Sequence, residues 1–276
     1  MTPSPARRLL RDAVALATVG LFLFPLFWWG LTSIKPVSAI YDRDAVVWFG
    51  FQPTLDNYRV TLAADTSLFA ARRSIADTVI IALGAACLTL ALALPAAYGL
   101  TRAGRESGRL IMLWIVMQRM LPPIAVLVPM VLIYHQLGLR DTRTGVILAH
   151  AAANLPFAIL LLKSFLDDVP REVGEAATID GATGLQSFLR IHVPLIRGGI
   201  AACFVLCAIF SWTEFIMALF LTSSIRVLPV QLSLLPTQSW GLTAALSTAS
   251  IVPAFVFILL VQRHLVRGLT MGLGTR

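Results

Sequence analysis

Lysine is nearly absent from this chain of 276 residues, which contains only Lys35 and Lys163. Neither of them completes the pattern G-x-x-x-x-G-K-[ST], so the chain has no P-loop in which to hold ATP. The patterns H-E-x-x-H, G-x-S-x-G and G-x-G-x-x-G are also missing, and the four histidines lie in different segments. We therefore expect that the chain is not an enzyme and binds no cofactor by itself.

Cysteine is also rare, and the positions of the three cysteines argue against a metal site. Cys87, Cys203 and Cys207 all fall in apolar segments, and no histidine or acidic residue stands at ligand spacing from them. We interpret all three as small packing residues.

Charge is scarce, and its distribution indicates a membrane protein. Only 13% of the residues are charged and 58% are hydrophobic, which excludes an ordinary soluble domain. A helix needs roughly 20 apolar residues to cross a bilayer, and the alternating pattern of a membrane β-barrel is missing. We predict an all-α integral membrane fold, with a kink in the third span at Pro122, Pro123 and Pro129. A single domain over 1–276 would contain six spans, at 13–34, 76–100, 109–134, 144–163, 196–221 and 243–264.

The basic residues predict the orientation of these spans. With the N-terminus in the cytoplasm, thirteen Lys and Arg residues fall in cytoplasmic segments and eight in outer segments. They are scattered singly at the ends of spans, so the net charge of +8 does not indicate nucleic-acid binding. The basic N-terminus before an apolar run resembles a signal peptide, with a weak cleavage site at Val37, Ser38 and Ala39. The length of the apolar run favours an uncleaved first helix.

A polar segment over 165–195 interrupts the apolar sequence between two spans. Pro170 suits the first turn of a helix, residues 172–180 tolerate a helix, and Gly181 permits a sharp reversal of the chain. The segment is either an ordinary solvated loop or a compact knob of two short helices, and spacing alone favours neither. A second short helix over 185–193 would carry four side chains on one face, namely Leu185, Phe188, Leu189 and His192.

The same segment contains the pattern E-A-A-x-x-D-G-A-x-x-x-x-x-F-x-x-I-x-x-P-L, from Glu175 to Leu195. This pattern resembles the cytoplasmic loop of permease subunits from binding-protein-dependent ABC importers. It departs at Gly198, where the family usually has another proline. The resemblance favours a docking knob over a solvated loop.

Other segments narrow the resemblance to carbohydrate-uptake permeases, and in particular to the second permease of a maltose-type pair. One departure is Arg73-Ser74, where the family commonly has Asn-Ser. The matching segments are Thr32 to Pro36, Asp56 to Tyr58, Ala96 to Arg102, Met120 to Pro123, Leu155 to Phe157, Trp212 to Phe215 and Gly268 to Gly272.

The resemblance implies a type I importer permease fold in the inner membrane of a bacterium, with both termini cytoplasmic. It also implies three partners: a dimer of ATP-hydrolysing subunits that binds ATP and Mg²⁺, a second homologous permease, and an extracytoplasmic solute-binding protein. The solute would be a sugar, a sugar alcohol or a sugar derivative. The residues expected to couple the chain to the ATPase are Glu175, Ala176, Ala177, Asp180, Gly181, Ala182 and Phe188. Among them, Glu175 would be a polar anchor, Ala176 and Ala177 a close-packing face, and Gly181 the turn.

Charged residues inside spans are costly in a membrane, which makes Arg119 and Glu214 candidates for the solute pathway. They would either contact solute or pair with each other or with other polar groups. An unpaired Arg119 would suit an anionic sugar derivative, because a guanidinium binds oxyanions with two hydrogen bonds. The remaining candidates for the pathway are Gln118, Asn154, Trp212 and Phe215.

Two other classes of function compete with this one. The chain would be an ABC permease for a different small solute, such as glycerol phosphate or a polyamine, or a self-sufficient secondary transporter. A secondary transporter should show repeat-related broken helices and acidic residues for ion coupling. Neither is visible in the sequence, since Glu214 is the only acidic residue deep inside a span.

Overall fold

The computed structural model describes residues 5–42, 44, 46–63, 71–236 and 239–271. Within these ranges the regular secondary structure is helical, and no strand occurs there. The helices are α1 (Pro5–Ser33), α2 (Val37–Ile40), α3 (Asp56–Ala63), α4 (Ala71–Arg102), α5 (Arg105–Arg119), α6 (Pro123–Gln136), α7 (Arg143–Asp167), α8 (Arg171–Ile179), α9 (Gly184–Ser187), a π-helical turn (Phe188–His192), α10 (Val193–Leu195), α11 (Arg197–Thr213), α12 (Ile216–Leu221), α13 (Leu228–Ser233) and α14 (Trp240–Met271).

Three of the described helices are long and apolar enough to cross a membrane, namely α1 over Leu9–Ser33, α4 and α7. Two bent pairs reach that length only when each pair is taken together. They are α5 with α6, and the segment Gly184–Leu195 with α11. In α14 the apolar stretch Trp240–Val256 is shorter. The described helices thus supply up to five spans by length and composition, and the sixth stays a prediction.

The third predicted span is broken between α5 and α6. The axes of Arg105–Arg119 and Ile124–Gln136 differ by 92°. Pro122 has an extended backbone just before α6, and Pro123 occupies the first helical turn, where a missing N–H costs no hydrogen bond. Pro129 lies within α6. The break therefore falls at the first two of the three prolines.

The chain divides into two compact units, one of residues 1–72 with 231–252 and one of 73–230 with 253–276. The core of the second unit combines α4, α7 and α11 through small side chains, as is usual where membrane helices approach closely. Cys203 and Cys207 are buried in this core, which fits their interpretation as packing residues, whereas Cys87 is exposed and does not fit it. The other small residues there are Ala86, Ala93, Ala97, Ala158 and Ala208.

The first unit joins α1 to α3 by hydrogen bonds to the end of α1. The side-chain amide of Asn57 donates to the carbonyls of Ser33 and Lys35, at 2.9 Å each. The hydroxyl of Tyr58 donates to Oγ of Ser33 at 2.9 Å. The last carbonyls of a helix lack partners within it, so Asn57 supplies the partners that α1 needs.

Asp141 fastens the turn between α6 and α7 to the segment after α12. Its carboxylate accepts from the backbone N–H and the hydroxyl of both Ser223 and Ser224, at 2.7 to 3.0 Å, and from the N–H of Ile225 at 3.2 Å. Its own N–H donates to the carbonyl of Leu221 at 2.8 Å. Burial by itself would raise the pKa of Asp141, but these hydrogen bonds stabilise the carboxylate and bring the pKa well below its usual value.

Gly145 in the first turn of α7 is a position where close packing requires glycine. A Cβ there would lie 2.1 Å from the carbonyl oxygen of Leu139, a backbone atom that cannot move aside cheaply. We expect Gly145→Ala to lower the melting temperature in detergent by several degrees, as overpacking costs about 1 to 3 kcal/mol. Gly99→Ala in α4 is the matched control, because nothing lies within 4 Å of the Cβ it would add. Equal melting temperatures for the two variants would contradict the packing at Gly145.

Candidate functional site

The segment 165–195 folds as two short helical pieces joined by a tight turn. Pro170 precedes α8 with an extended backbone. After α8, Gly181 has a φ of +80°, a conformation that glycine adopts at little cost. The N–H of Ala182 then donates to the carbonyl of Ala177 at 2.9 Å, which closes the turn. The reversal at Gly181 has the geometry that the sequence predicted.

The second piece begins with a capping box. The N–H of Gln186 donates to the hydroxyl of Thr183 at 3.3 Å, and the N–H of Thr183 donates to the side-chain oxygen of Gln186 at 2.9 Å. These bonds satisfy two backbone donors that a helix start leaves unpaired. A helix of only four residues therefore begins at a defined position.

The second piece differs from the predicted continuous helix over 185–193. It consists of α9, the π-helical turn and α10. The wider π turn changes the register of the side chains, so the four residues expected on one face are divided. Phe188 is buried and His192 is partly buried, whereas Leu185 and Leu189 are exposed.

Tyr98 near the end of α4 holds this second piece. Its ring centroid lies 4.8 Å from that of Phe188 and 5.0 Å from that of His192. The guanidinium carbon of Arg102 lies over the Tyr98 ring, 4.5 Å from its centroid, in a cation–π contact. Phe188 is therefore an anchor that ties the 165–195 loop to α4.

The remaining predicted coupling residues occupy different surroundings. Ala177 is buried, while Ala176 and Asp180 are exposed and Ala182 is partly exposed. Glu175 is exposed and lines a crevice of about 740 Å³ between α8 and the ends of α4 and α7. The loop thus presents a polar crevice at its base and an apolar outer surface, which we call the outer apolar surface. It is formed by Ile179, Leu185 and Leu189.

Arg119 and Glu214 do not form an ion pair with each other in the structure. Arg119 ends α5 and is exposed, with its guanidinium carbon 5.7 Å from the ring centroid of Phe157. Glu214 lies at the break between α11 and α12. Its carboxylate accepts from the N–H of Met217 at 2.9 Å and of Ala218 at 3.2 Å. Glu214 therefore caps the start of α12.

Glu214 also belongs to a polar group of three residues that the sequence did not reveal. Nε2 of His150 lies 3.1 Å from its carboxylate, and Nδ1 of His150 lies 2.6 Å from the hydroxyl of Ser211. His150 and Ser211 are buried. Satisfying a histidine on both ring nitrogens fixes its orientation. The three residues join α7 to the broken α11–α12 segment.

The other predicted pathway residues are dispersed. The amide of Asn154 donates to the carbonyl of Cys207 at 3.3 Å, which links α7 to α11. Trp212 is buried, Phe215 packs on a small cluster that includes Ile81 and Val146, and Gln118 is partly exposed. These residues thus lie on α5, α7 and α11 and at the break before α12.

Membrane-length helices with a folded two-helix loop after α7 define the class of helical membrane proteins. The chain matches, over residues 62–270, the family described as the inner membrane component of binding-protein-dependent transport systems. This match covers most of the chain. The chain belongs to that family.

Curated relatives are similar to this chain over almost its whole length. A sulfoquinovosyl glycerol transport system permease, SmoH of Agrobacterium fabrum, is 31% identical over 91% of this chain and 88% of the relative. A trehalose transport system permease, SugB of Mycobacterium tuberculosis, is 32% identical over 92% of this chain and 93% of the relative. The resemblance to ABC importer permeases that the loop pattern indicated is confirmed.

A solved structure shows the same fold. It is a bacterial ABC transporter involved in the import of the acidic polysaccharide alginate, and one of its chains superposes with a TM-score of 0.77 at 22% identity. The match covers 95% of this chain and 99% of the solved one. The predicted all-α membrane class with an importer permease fold is confirmed.

Proposed function

We propose that this chain forms half of the translocation pathway of an ATP-driven importer for a sugar, a sugar alcohol or a sugar derivative. It works beside a second homologous permease, on a dimer of ATP-hydrolysing subunits, and receives its solute from an extracytoplasmic binding protein. ATP and Mg²⁺ bind to the ATPase, and this chain holds no cofactor of its own. The names of two relatives, which specify trehalose and sulfoquinovosyl glycerol, support the sugar class.

The observation that carries the coupling role is the outer apolar surface of the 165–195 loop. Ile179 is 86% exposed, Leu185 is 67% exposed and Leu189 is 53% exposed, although each lies in a helical part of the loop. Large apolar side chains exposed on a polar loop are typical of a protein-binding surface. The ATPase is the partner proposed for it, with the loop in the cytoplasm and both chain termini on the same side.

The proposed mechanism is rigid-body gating. When the ATPase subunits close on ATP, they displace the seated loop, and the membrane helices pass from an inward-open to an outward-open arrangement. The Tyr98–Phe188 contact supports this transmission, because it joins the loop to α4 through two aromatic rings whose centroids are 4.8 Å apart. The small-residue core then connects α4 to α7 and α11.

The surroundings of Arg119 favour a second candidate, an importer for an anionic sugar derivative. The guanidinium is exposed at the end of α5 and makes a cation–π contact with Phe157. No carboxylate of the described residues forms an ion pair with it. A phosphate, sulfonate or carboxylate on the solute would supply the missing acceptor.

Arg119→Gln tests this second candidate by transport. We expect uptake of an anionic sugar to fall about 10- to 100-fold, since a charge-assisted hydrogen bond is lost, while uptake of a neutral sugar changes much less. Radiolabelled glucuronate and trehalose, supplied to cells that express the complete importer, provide the comparison. Arg109→Gln, on the same helix, is the control. An equal loss for both solutes would exclude a direct role of Arg119 with anions.

The proposed function itself is tested by purifying the chain from its native membrane in mild detergent. Mass spectrometry should identify an ATPase, a second permease and a solute-binding protein in near-stoichiometric amounts. Recovery of the chain alone, or only with copies of itself, would contradict the proposal and favour a self-sufficient transporter. The recovered binding protein would then serve to identify the solute.

A further inference from the structure

A cavity of about 570 Å³ lies in the first compact unit, beside the end of α1. Its volume is in the range of pockets that hold small-molecule ligands. Its lining combines indole rings, a hydroxyl group, an ammonium group and carboxylates. The residues that carry the argument are Trp29, Thr32, Lys35, Asp42, Asp44 and Trp240.

The hydroxyl of Thr32 has no hydrogen-bond partner among the described residues, although Thr32 is only 8% exposed. Several threonines in the described helices donate back to a carbonyl four residues earlier, as Thr61, Thr78 and Thr89 do, whereas the hydroxyl of Thr248 in α14 also lacks a partner among the described residues. A buried hydroxyl without a partner is unfavourable, because the group has lost its hydrogen bonds to water. Because Thr32 lines the cavity, an occupant of the cavity would supply the missing partner.

Lys35 brings a cation to the same cavity. The residue is 3% exposed, and its ammonium donates to the carbonyl of Val47 at 2.5 Å and lies 4.3 Å from the ring centroid of Trp28. An ammonium has three N–H donors, and this carbonyl occupies one of them. Lys35 therefore retains donors for a ligand, and its position is fixed on two sides.

Two indole rings and two carboxylates complete the lining. The ring centroids of Trp29 and Trp240 are 6.2 Å apart, with planes inclined by 40°. The backbone N–H of Trp240 donates to the hydroxyl of Tyr41 at 3.1 Å, which holds the start of α14 in place. Asp42 and Asp44 are exposed and are joined by a hydrogen bond of 2.9 Å from the N–H of Asp44. The cavity thus offers flat apolar surfaces beside both donors and acceptors.

We propose that this cavity is a carbohydrate-binding subsite at the extracytoplasmic end of α1. A sugar ring presents an apolar C–H face that packs on indole rings, while its hydroxyls accept from Lys35 and Thr32 and donate to the carboxylates. Tryptophan alone is common at membrane interfaces, but the partnerless Thr32 hydroxyl and the fixed ammonium exceed what an interface requires. The subsite rests on the proposed function and its orientation, in which this end of α1 faces the binding protein that releases the solute.

The charges favour a sugar over the headgroup of a phospholipid. Within the described lining, the ammonium of Lys35 lies with the carboxylates of Asp42 and Asp44, so a ligand meets acceptors as well as a cation. A neutral polyol uses donors and acceptors alike. The solute that enters here would thus be held by hydroxyl groups rather than by an anionic group.

Binding to the purified chain in phosphatidylcholine nanodiscs tests the subsite directly. Saturation-transfer difference NMR, with trehalose, sorbitol and methyl glucoside as probes, reports binding, and titration gives the Kd. We expect Thr32→Val to weaken binding about 3- to 10-fold, as for the loss of one hydrogen bond, and Trp29→Leu to weaken it more. Thr18→Val and Phe22→Leu, on exposed positions of the same helix, are matched controls with no expected change.

Three outcomes would overturn the subsite. They are binding of none of the three probes by the wild-type chain, unchanged Kd values in both cavity variants, and displacement of the sugar by phosphatidylglycerol, which would assign the cavity to a lipid headgroup. Thermal melting of each variant excludes a folding defect, and Thr32→Val preserves side-chain shape. Sugar uptake by the complete wild-type importer separates the two hypotheses. If uptake occurs while any of these outcomes is found, only the subsite fails; if no sugar is taken up either, the proposed function fails as well.

Discussion

Leu185→Asp is expected to abolish association with the ATPase while leaving the chain folded in the membrane. Leu185 is two-thirds exposed and belongs to the outer apolar surface of the 165–195 loop. A carboxylate placed there would be buried without a partner when the loop docks, which costs several kcal/mol. A loss of about 3 kcal/mol lowers the affinity more than 100-fold. Co-purification of the ATPase, quantified by mass spectrometry, measures the effect.

Leu137→Asp is the matched control for this substitution. Leu137 has nearly the same exposure, 65% against 67%, and follows α6 rather than lying on the loop. Leu185→Met should retain the partner, because it preserves an apolar side chain of similar volume. Full recovery of the ATPase with Leu185→Asp would show that the outer apolar surface is not the docking surface.

Asp141→Ala is expected to produce the largest loss of stability among single substitutions outside the core. It removes the acceptor of five hydrogen bonds from residues 223–225. It also places alanine at a φ of +57°, which side chains with a Cβ tolerate poorly. We expect a loss of about 2 kcal/mol, measured by thermal unfolding in detergent. Asp12→Ala, at an exposed ion pair, should cost less than about 1 kcal/mol.

The pH dependence distinguishes the carboxylate of Asp141 from the shape of its side chain. Because the folded state lowers the pKa of Asp141, its stabilisation is complete above the unfolded pKa of about 3.9 and is lost as the pH falls through the folded pKa. Asp141→Asn tolerates the positive φ but does not titrate. The stability difference between wild type and Asp141→Asn should therefore be constant from pH 7 to about pH 5 and shrink in stronger acid. A constant difference down to pH 2 would contradict the role of the charge.

The sequence predicted the features that depend on local chemistry. Scarce charge predicted membrane helices, and the glycine at 181 predicted a reversal that appears as a positive φ. Pro122, Pro123 and Pro129 predicted a kinked third span, and the helix axes differ by 92° across the first two of them. Each of these features depends on a property of single residues: the cost of placing charge in a membrane, or the backbone angles that glycine and proline allow. Such features can be recognised from the sequence without knowledge of the fold.

Other features depend on hydrogen-bond register or on distant contacts, and the sequence did not reveal them. The π-helical turn at Phe188 does not follow the 3.6-residue period of an α-helix. Phe188 is therefore buried, whereas Leu185 and Leu189, which were predicted on the same face, are exposed. His150 and Glu214 are 64 positions apart, and each looked isolated in its own apolar segment. The sequence indicated a possible contact between them only in that both are titratable residues inside predicted spans.

The contact between Glu214 and His150 has a consequence for the biogenesis of the chain. A carboxylate entering the bilayer without a partner is costly, and α12, with six residues, is too short to insert alone. His150 lies on α7, which leaves the ribosome before α11 and α12. The hydrogen-bond donor for the Glu214 carboxylate is thus already in the membrane when the later segment arrives, so the order of synthesis lowers the cost of inserting this acidic residue.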